Sequence, residues 1–326
     1  MARHRPAGGL RRGKPGVRAA PADPAVPAYP GAGVTTVLVF GGSGFIGGHV
    51  RAALHPHAAL VCPGRRDLDL VACGVDELGA LLRACRPDAV VACTGRMDGR
   101  VDELVAANVS VTAKLVEAVA ADAPGARLVR IGSAGEYGPV PHGHAAAESD
   151  EARPVSEYGL THLTATRLVE LAAAARRVDG VTLRVFNPIG PGLSADTVLG
   201  RVATLLRRAT PPGNPVTVGP LSAHRDFVDV RDVAAAVVAA VRARRLPERV
   251  YNVASGRAVP VREAVRLMVE VAGFTGGVRE NQPAPGRSAA VDWMCGDISR
   301  AARDLGWTPS YDLAESVKAS WAGAGA

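Results

Sequence analysis

The sequence predicts an α/β fold in which a doubly wound parallel sheet is followed by a smaller α/β domain at the carboxyl end. Short apolar runs alternate with segments of helical periodicity between residues 34 and 186. A cluster of glycines follows the first run, and the alternation breaks beyond Asn187, where Pro and Gly turns become frequent. Alternating strands and helices form right-handed βαβ units with helices on both faces of the sheet, which is the Rossmann-type arrangement.

Each predicted element follows from its local pattern. Strands are assigned to short apolar runs bounded by turn residues, and helices to segments whose apolar residues recur every three or four positions. In chain order these are strand 34–40, helix 46–54, strand 59–62, helix 78–85, strand 88–93, helix 102–121, strand 127–131, helix 157–177 and strand 181–186. We expect a tail at 1–33, a cofactor-binding sheet domain at 34–186 and 225–255, and a substrate-binding domain at 187–224 and 256–322.

Composition and charge exclude several classes of protein. At 326 residues, 48% hydrophobic and 21% charged, the chain is expected to be globular, with no apolar run long enough to cross a bilayer. The formal net charge is +7, but residues 1–33 hold six Lys or Arg against Asp23 alone, so five of the seven positive charges lie there. This Pro- and Gly-rich stretch cannot bury a core, so we expect a disordered tail and no nucleic-acid partner. The five cysteines lack CxxC or metal-ligand spacing, which predicts reduced thiols, a cytoplasmic location and no metal site.

A glycine-rich turn after the first predicted strand indicates a dinucleotide site. It reads Gly41-Gly42-Ser43-Gly44-Phe45-Ile46-Gly47. Two registers are possible, Gly42-x-Gly44-x-x-Gly47 and Gly41-x-x-Gly44-x-x-Gly47. Glycines let the chain turn tightly, approach a diphosphate and pack the next helix closely on the strand, and the helix start attracts the anion. A plain glycine-rich turn is the alternative.

The end of the second predicted strand favours NADP(H) over NAD. Units that bind NAD place an acidic residue there to hold the ribose hydroxyls. This chain has Arg65 and Arg66 instead, with no acid before Asp67. Paired arginines would bind a 2′-phosphate through charge-assisted hydrogen bonds. A solvent-exposed basic loop is the alternative.

Ordered motifs over residues 34–320 resemble the extended short-chain dehydrogenase/reductase family, also called NAD-dependent epimerase/dehydratase. They comprise the glycine loop, Asn108-Val109, Ser133 four residues before Tyr137-Gly138, Tyr158 at the start of a long helix, and the segments 184–192, 225–234, 251–256 and 305–309. They favour the Gly41-Gly44-Gly47 register. The segments 67–70 and 221–227 most resemble GDP-4-keto-6-deoxy-mannose reductases and related sugar-nucleotide ketoreductases. The resemblance implies reduction by NADPH of a 4-keto-6-deoxyhexose carried on a nucleotide.

The resemblance also implies roles for individual residues. Tyr158 would be the proton donor and Ser133 the carbonyl anchor, since reduction of a ketone leaves an alkoxide that must be stabilised and protonated. Cofactor contacts would lie at Gly41, Gly44, Phe45, Ile46, Gly47, Arg65, Arg66, Asp69, Leu70, Thr94 and Asn108, with Asp69 and Leu70 at the adenine. Asn187, Arg225 and Arg287 would hold the substrate diphosphate. Helices 102–121 and 157–177 would form a four-helix bundle in a homodimer, although packing on the sheet alone is the alternative.

One residue departs from the family pattern. The family carries a lysine four residues after the tyrosine, which binds the nicotinamide ribose and lowers the tyrosine pKa, and this chain has His162. Imidazole can still donate a hydrogen bond, but it would usually be neutral near pH 7 and would lower the tyrosine pKa less. Three outcomes stay open: an adequate replacement, an unusual substrate, or cofactor binding without turnover. The first predicts that His162→Lys keeps or raises the rate and shifts its pH profile to alkaline pH.

Other functions are weighed against ketoreduction. Relatives that eliminate water carry an Asp-Glu pair after the catalytic Ser or Thr, whereas this chain has Ala134 and Gly135, so we do not expect dehydration. A sugar-nucleotide 4-epimerase, a reductase of a non-sugar natural-product ketone, and a non-catalytic NADP-binding protein remain as alternatives. Action of the basic tail on nucleic acid is the remote one.

Overall fold

The computed structural model describes residues 1, 35–209, 214–282 and 291–323. Residues 2–33 of the predicted tail lie outside the described residues, and so does Arg287.

Twelve strands and ten α-helices are found in the described part of the chain. The strands are β1 Thr36–Phe40, β2 Ala59–Val61, β3 Ala89–Ala92, β4 Arg127–Ser133, β5 Asp179–Val185, β6 Pro188–Ile189, β7 Val216–Val218, β8 His224–Asp226, β9 Val228–Asp229, β10 Val250–Val253, β11 Ala258–Pro260 and β12 Val278–Glu280. The helices are α1 Phe45–Leu54, α2 Val75–Cys85, α3 Val101–Leu104, α4 Val111–Asp122, α5 Glu157–Ala174, α6 Val198–Arg208, α7 Val230–Arg242, α8 Val261–Val271, α9 Ser299–Leu305 and α10 Leu313–Gly323.

A six-stranded parallel sheet organises the fold, with strand order β10-β5-β4-β3-β1-β2. From β2 at the edge, the chain returns across β1 to form β3 on its other side. The carboxyl ends of β1 and β3 therefore flank a topological switch point, which is where open α/β sheets bind ligands. The predicted Rossmann-type fold is confirmed.

The two faces of the sheet carry separate cores because successive side chains of a strand point to opposite sides. Val37 and Val39 of β1 pack with residues of α1 and α7. Leu38 and Phe40 pack on the other face with residues of α2, α4 and α5. A third core joins α6, α8 and α10 with β7 and forms the smaller carboxyl-terminal domain. The exact domain boundaries stay a prediction.

The segment predicted as one helix at 102–121 is built from three pieces. A six-residue π-helix, Val105–Ser110, joins α3 to α4.

Contrary to the expectation from the sequence, the continuous helix Val101–Asp122 is long and apolar enough to cross a membrane by length and composition. A core helix passes the same test, and α4 buries Leu115 and Val119 in the core of the second sheet face, so we assign the segment to that core.

Candidate active site

The glycine loop forms a cradle at the switch point. Gly41 has a positive φ of 74°, and a Cβ on it would lie 2.6 Å from the carbonyl oxygen of Cys93. A Cβ on Gly47 would lie 2.0 Å from the carbonyl oxygen of Gly41. A Cβ on Gly42 would meet only the flexible side chain of Arg51 below 3.4 Å. The geometry thus favours the Gly41-Gly44-Gly47 register, in which glycine is required by close backbone contacts.

The start of α1 is suited to an anion. Gly44 is its N-cap and makes no side-chain capping hydrogen bond, and the first turn contains no acidic residue. The first N–H groups of an α-helix lack intrahelical acceptors and carry a partial positive charge. Phe45, Ile46 and Gly47 occupy this turn, so the residues present fit the diphosphate of a dinucleotide.

The loop after β3 lies beside this cradle and is held by Asn108. A Cβ on Gly41 would lie 3.1 Å from Cγ2 of Thr94. The Asn108 side chain accepts a hydrogen bond from the Arg96 N–H (2.7 Å) and donates to the Arg96 carbonyl and to Oγ1 of Thr161, both at 3.0 Å. Both amide N–H groups are therefore used inside the protein, and Asn108 fixes the loop against α5. A π-helix often marks a functional position of this kind.

The residues predicted at the adenosine end lie in the loop after β2. Arg65 and Arg66 are exposed. Nε of Arg65 lies 3.0 Å from Oδ2 of Asp69, and this contact lowers the pKa of the Asp69 carboxyl. Leu70 is buried in the core of the second sheet face. The two arginines are accessible to an anion, whereas Asp69 is already engaged with Arg65 and with the Val71 N–H at 3.0 Å.

Ser133 and Tyr158 converge on one small region. Ser133 ends β4, and Tyr158 lies in the first turn of α5. A Cβ on Gly135 would lie 3.3 Å from both Oγ of Ser133 and Cε1 of Tyr158. A Cβ on Gly159 would lie 2.3 Å from the Gly135 carbonyl oxygen, so glycine at both positions lets α5 approach the loop. A serine hydroxyl and a phenol thus border the same space.

A buried ion pair, which sequence analysis did not identify, holds Ser133. Oε1 of Glu136 accepts the Ser133 N–H at 3.0 Å, and Oε2 accepts Nε of Arg184 at 2.7 Å. Glu136 is 0% exposed and Arg184 is 2% exposed. The neighbouring Tyr137 donates to Oδ1 of Asn252 at 2.7 Å, and burial raises its pKa to about 12. Tyr137 is therefore a structural residue, and Tyr158 is the phenol that borders the loop.

His162 lies one helical turn after Tyr158 and is buried. The two rings are 4.5 Å apart between centroids, at 50°. Nδ1 of His162 lies 3.2 Å from a terminal nitrogen of Arg130 on β4. Burial, and then the charge of Arg130, lower the pKa of His162 well below 6.5. The imidazole is neutral, as expected near pH 7, but the arginine beside it was not foreseen.

Asn187 lies two residues after β5, and Arg225 lies on β8. Nδ2 of Asn187 donates to the carbonyl of Asp226 at 2.9 Å, and Arg225 donates to the carbonyls of His224 and Val291 at 2.8 and 2.7 Å. Ala134, Phe186 and Val291 belong to one buried cluster. Ala134 follows Ser133, Phe186 precedes Asn187, and the Val291 carbonyl accepts from Arg225. The cluster thus links the chain beside Ser133 with the chain beside Asn187 and with a carbonyl that accepts from Arg225. Within residues 35–209, 214–282 and 291–323, no group of three or more His, Cys, Asp or Glu could hold a metal ion.

A parallel sheet with a glycine cradle at its switch point and a Ser–Tyr pair near the end of β4 is the arrangement expected of an NAD(P)-dependent oxidoreductase. Residues 37–254 match the NAD dependent epimerase/dehydratase family. The chain belongs to that family, and within it to the extended short-chain type that modifies sugar nucleotides.

Two curated relatives cover almost the whole chain. The dTDP-6-deoxy-L-talose 4-dehydrogenase (NAD(P)(+)) of Kitasatospora kifunensis is 40% identical over 300 residues, 87% of this chain and 94% of the relative. The GDP-6-deoxy-D-mannose reductase of Pseudomonas aeruginosa is 29% identical over 87% of this chain and 95% of the relative. The solved structure of RMD from Pseudomonas aeruginosa complexed with NADPH superimposes with a TM-score of 0.78 at 25% identity, covering 89% of this chain and 97% of that chain.

Proposed function

We propose that this protein uses NADPH to reduce the 4-keto group of a nucleotide-linked 4-keto-6-deoxyhexose. The convergence of Ser133 Oγ and the Tyr158 ring on Gly135 is the observation that carries the proposal. Bound NADPH supplies the hydride. The chain supplies the groups that hold the carbonyl oxygen and deliver a proton to it.

The chemistry assigned to the two residues follows from their positions. As the carbonyl is reduced, negative charge develops on its oxygen. The Ser133 hydroxyl donates a hydrogen bond to that oxygen, which stabilises the charge. The Tyr158 phenol transfers its proton there. The ion pair between Glu136 and Arg184 keeps Ser133 in place through its backbone N–H. His162 packs on the tyrosine ring from the next turn of α5.

The cofactor assignment is supported by the cradle and by the loop after β2. Gly41, Gly44, Phe45, Ile46 and Gly47 fit the diphosphate, and Thr94 borders the same cradle. We assign the 2′-phosphate of NADP(H) to Arg65 and Arg66, whose side chains are exposed, with Asp69 and Leu70 at the adenine. Asn108 serves by positioning the loop that contains Thr94.

The substrate assignment is supported by the two curated relatives, which act on 6-deoxyhexoses linked to dTDP and to GDP. Asn187 and Arg225 are assigned to the diphosphate, with Arg287 as a further contact outside the described residues. The buried cluster that joins them to the loop after β4 supports this placement.

The decisive test is turnover. The purified protein is incubated with NADPH and with dTDP- and GDP-linked 4-keto-6-deoxyhexoses, and the configuration at C4 of the product is read by NMR. We expect NADPH oxidation in step with alcohol formation, and the reverse reaction with NADP+ and the 6-deoxyhexose product. Tyr158→Phe and Ser133→Ala should each lower kcat by about a hundredfold or more while NADPH binding persists. Interconversion of C4 epimers without net NADPH consumption would instead identify an epimerase.

The choice of cofactor has its own test. Arg65→Ser and Arg66→Ser should weaken NADPH binding more than NADH binding, because only NADPH carries the 2′-phosphate. Arg83→Ser, an exposed arginine of α2 paired with Asp122, is the matched control. Equal loss for both cofactors would contradict the assignment.

We also propose a cytoplasmic homodimer formed by α4 and α5 in a four-helix bundle. Leu160 and Leu171 of α5 are 55% and 68% exposed, and Val105 of the adjoining π-helix is 40% exposed. A second copy of the chain would cover these apolar side chains. Sedimentation equilibrium should give twice the chain mass, and a monomer over the full concentration range would contradict this proposal.

A further inference from the structure

His162 does not carry the positive charge that family relatives place at this position, but a charge lies directly behind it. Arg130 is 4% exposed and extends from the middle of β4 beneath α4 and α5. Its Nε donates to Oγ1 of Thr112 on α4, and NH1 donates to Oγ1 of Thr166 on α5, both at 3.2 Å. NH2 lies 3.2 Å from Nδ1 of His162. Three neutral acceptors on two helices therefore fix the guanidinium.

Arg130 is a buried arginine that forms no ion pair with a carboxylate among the described residues, which is unusual for a residue with a purely structural role. None of the ion pairs among the described residues includes Arg130, and the nearby carboxylate of Glu136 is paired with Arg184. A buried guanidinium without a carboxylate partner is costly, and such arrangements are typical of functional sites. The charged and titratable groups that act on Arg130 are Glu136, Tyr158 and Arg184. Of these three, Tyr158 is the group to which we assign proton transfer. Its ring lies 4.5 Å, between centroids, from the ring of His162, which Arg130 contacts.

The contact with Arg130 also decides which nitrogen of His162 carries the proton. A guanidinium has donors and no acceptor, so Nδ1 must accept and the proton of the neutral ring resides on Nε2. Nε2 faces the loop after β3, since a Cβ on Gly95 would lie 3.7 Å from it. Within the described chain Nε2 has no hydrogen-bond partner. The ring therefore presents an N–H donor toward the cradle that Gly41 and Thr94 border.

We propose that Arg130 is a positioning residue that supplies, from β4, the fixed positive charge that stabilises the Tyr158 phenolate and holds His162 with its Nε2–H toward the cofactor. The two functions that one lysine combines in family relatives are divided here between an arginine and a histidine. This proposal rests on the proposed function for the role of Tyr158. It requires the charge to be at Arg130 and does not require His162 to be protonated.

Three variants separate charge from structure. Arg130→Met removes the charge and keeps an apolar stem, and Arg130→Lys keeps the charge. Arg130→Met combined with His162→Lys moves the charge to the position that it has in relatives. Each variant is first checked for folding by circular dichroism and for NADPH binding by fluorescence, and phenolate formation is followed by ultraviolet difference absorbance. The same titration of a Tyr158→Phe variant isolates the Tyr158 signal.

We expect Arg130→Met to raise the titration midpoint of Tyr158 by about one pH unit or more, because an opposite charge nearby shifts a pKa by about that much. The pH profile of kcat/KM should shift in the same direction, with a rate loss of about tenfold at neutral pH. Arg130→Lys and the double variant should restore both. A folded Arg130→Met protein with an unchanged Tyr158 titration would overturn the proposal, as would failure of the double variant to restore a shifted one. Because the titration needs no substrate, an absence of turnover by the wild type would count against the proposed function and not against the role of Arg130.

Discussion

Replacing His162 by glutamine should remove a pH dependence of folding stability that the structure predicts. Glutamine keeps an acceptor for Arg130 and does not titrate. In the folded protein the pKa of His162 is lowered well below 6.5 by burial and by Arg130. In the unfolded chain it returns to about 6.5. Below that pH the unfolded chain therefore binds a proton at residue 162 that the folded protein does not.

The sign and size of the effect follow from proton linkage. The stability associated with neutral His162 is fully present above pH 6.5 and is lost as the pH falls toward the folded-state pKa. The loss approaches about 1.4 kcal/mol per pH unit at pH values below 6.5 and above the folded-state pKa. The difference in free energy of unfolding between wild type and His162→Gln should follow this slope and be flat above about pH 7.5.

Urea denaturation at half-unit pH steps, followed by circular dichroism, measures this difference. His57→Gln, which removes an exposed imidazole, is the matched control and should leave the slope of the wild type intact. A wild-type minus His162→Gln difference that stays constant between pH 4.5 and pH 8 would refute the reasoning. It would mean that the imidazole is solvated, or that its contact with Arg130 does not form.

Further predictions concern the packing of the site and the exposed face. Gly47→Ala should lower the free energy of unfolding by about 1–3 kcal/mol and abolish NADPH binding, because its Cβ would lie 2.0 Å from a backbone oxygen. In the control Gly48→Ala, nothing lies within 4 Å of the added Cβ. This variant should bind NADPH normally, and its free energy of unfolding in denaturant should rise by about 1 kcal/mol. Glu136→Gln should cost about 3–5 kcal/mol by leaving Arg184 buried without a counter-charge, and adding Arg184→Met should recover part of that loss in the same assay. Leu171→Glu should give a monomer in sedimentation experiments without loss of secondary structure, and a persistent dimer would exclude this face.

The sequence was sufficient for the parts of the site that depend on local chain geometry. Gly41 and Gly47 could be recognised because a tight strand-to-helix turn admits only glycine where backbone atoms approach within 3 Å, and the contacts of both residues confirm that reason. The strand positions followed from apolar runs, since a parallel sheet buries both faces of its strands. Helix ends were less accurate. Helix α2 begins at Val75, three residues earlier than its apolar periodicity predicted. The Glu77 side chain stabilises this start by accepting the Gly74 N–H at 2.8 Å.

The long helix shows a different limit of pattern reading. Its apolar periodicity predicted one regular helix, but the structure inserts a π-helix at Val105–Ser110. Asn108 lies within this π-helix, and its amide bonds to both Arg96 and Thr161. Those partners are distant in sequence, so no local pattern could indicate the insertion.

The sequence by itself determined the fold class, the family, and the departure at residue 162, because each depends on residue types at fixed spacing along the chain. Only the tertiary structure decided what that departure means. Arg130 is 32 residues from His162 in sequence, and it reaches the imidazole because β4 runs beneath α5. Burial keeps the imidazole neutral because desolvation lowers the pKa of a histidine. The arginine retains its charge because a guanidinium is not deprotonated in proteins.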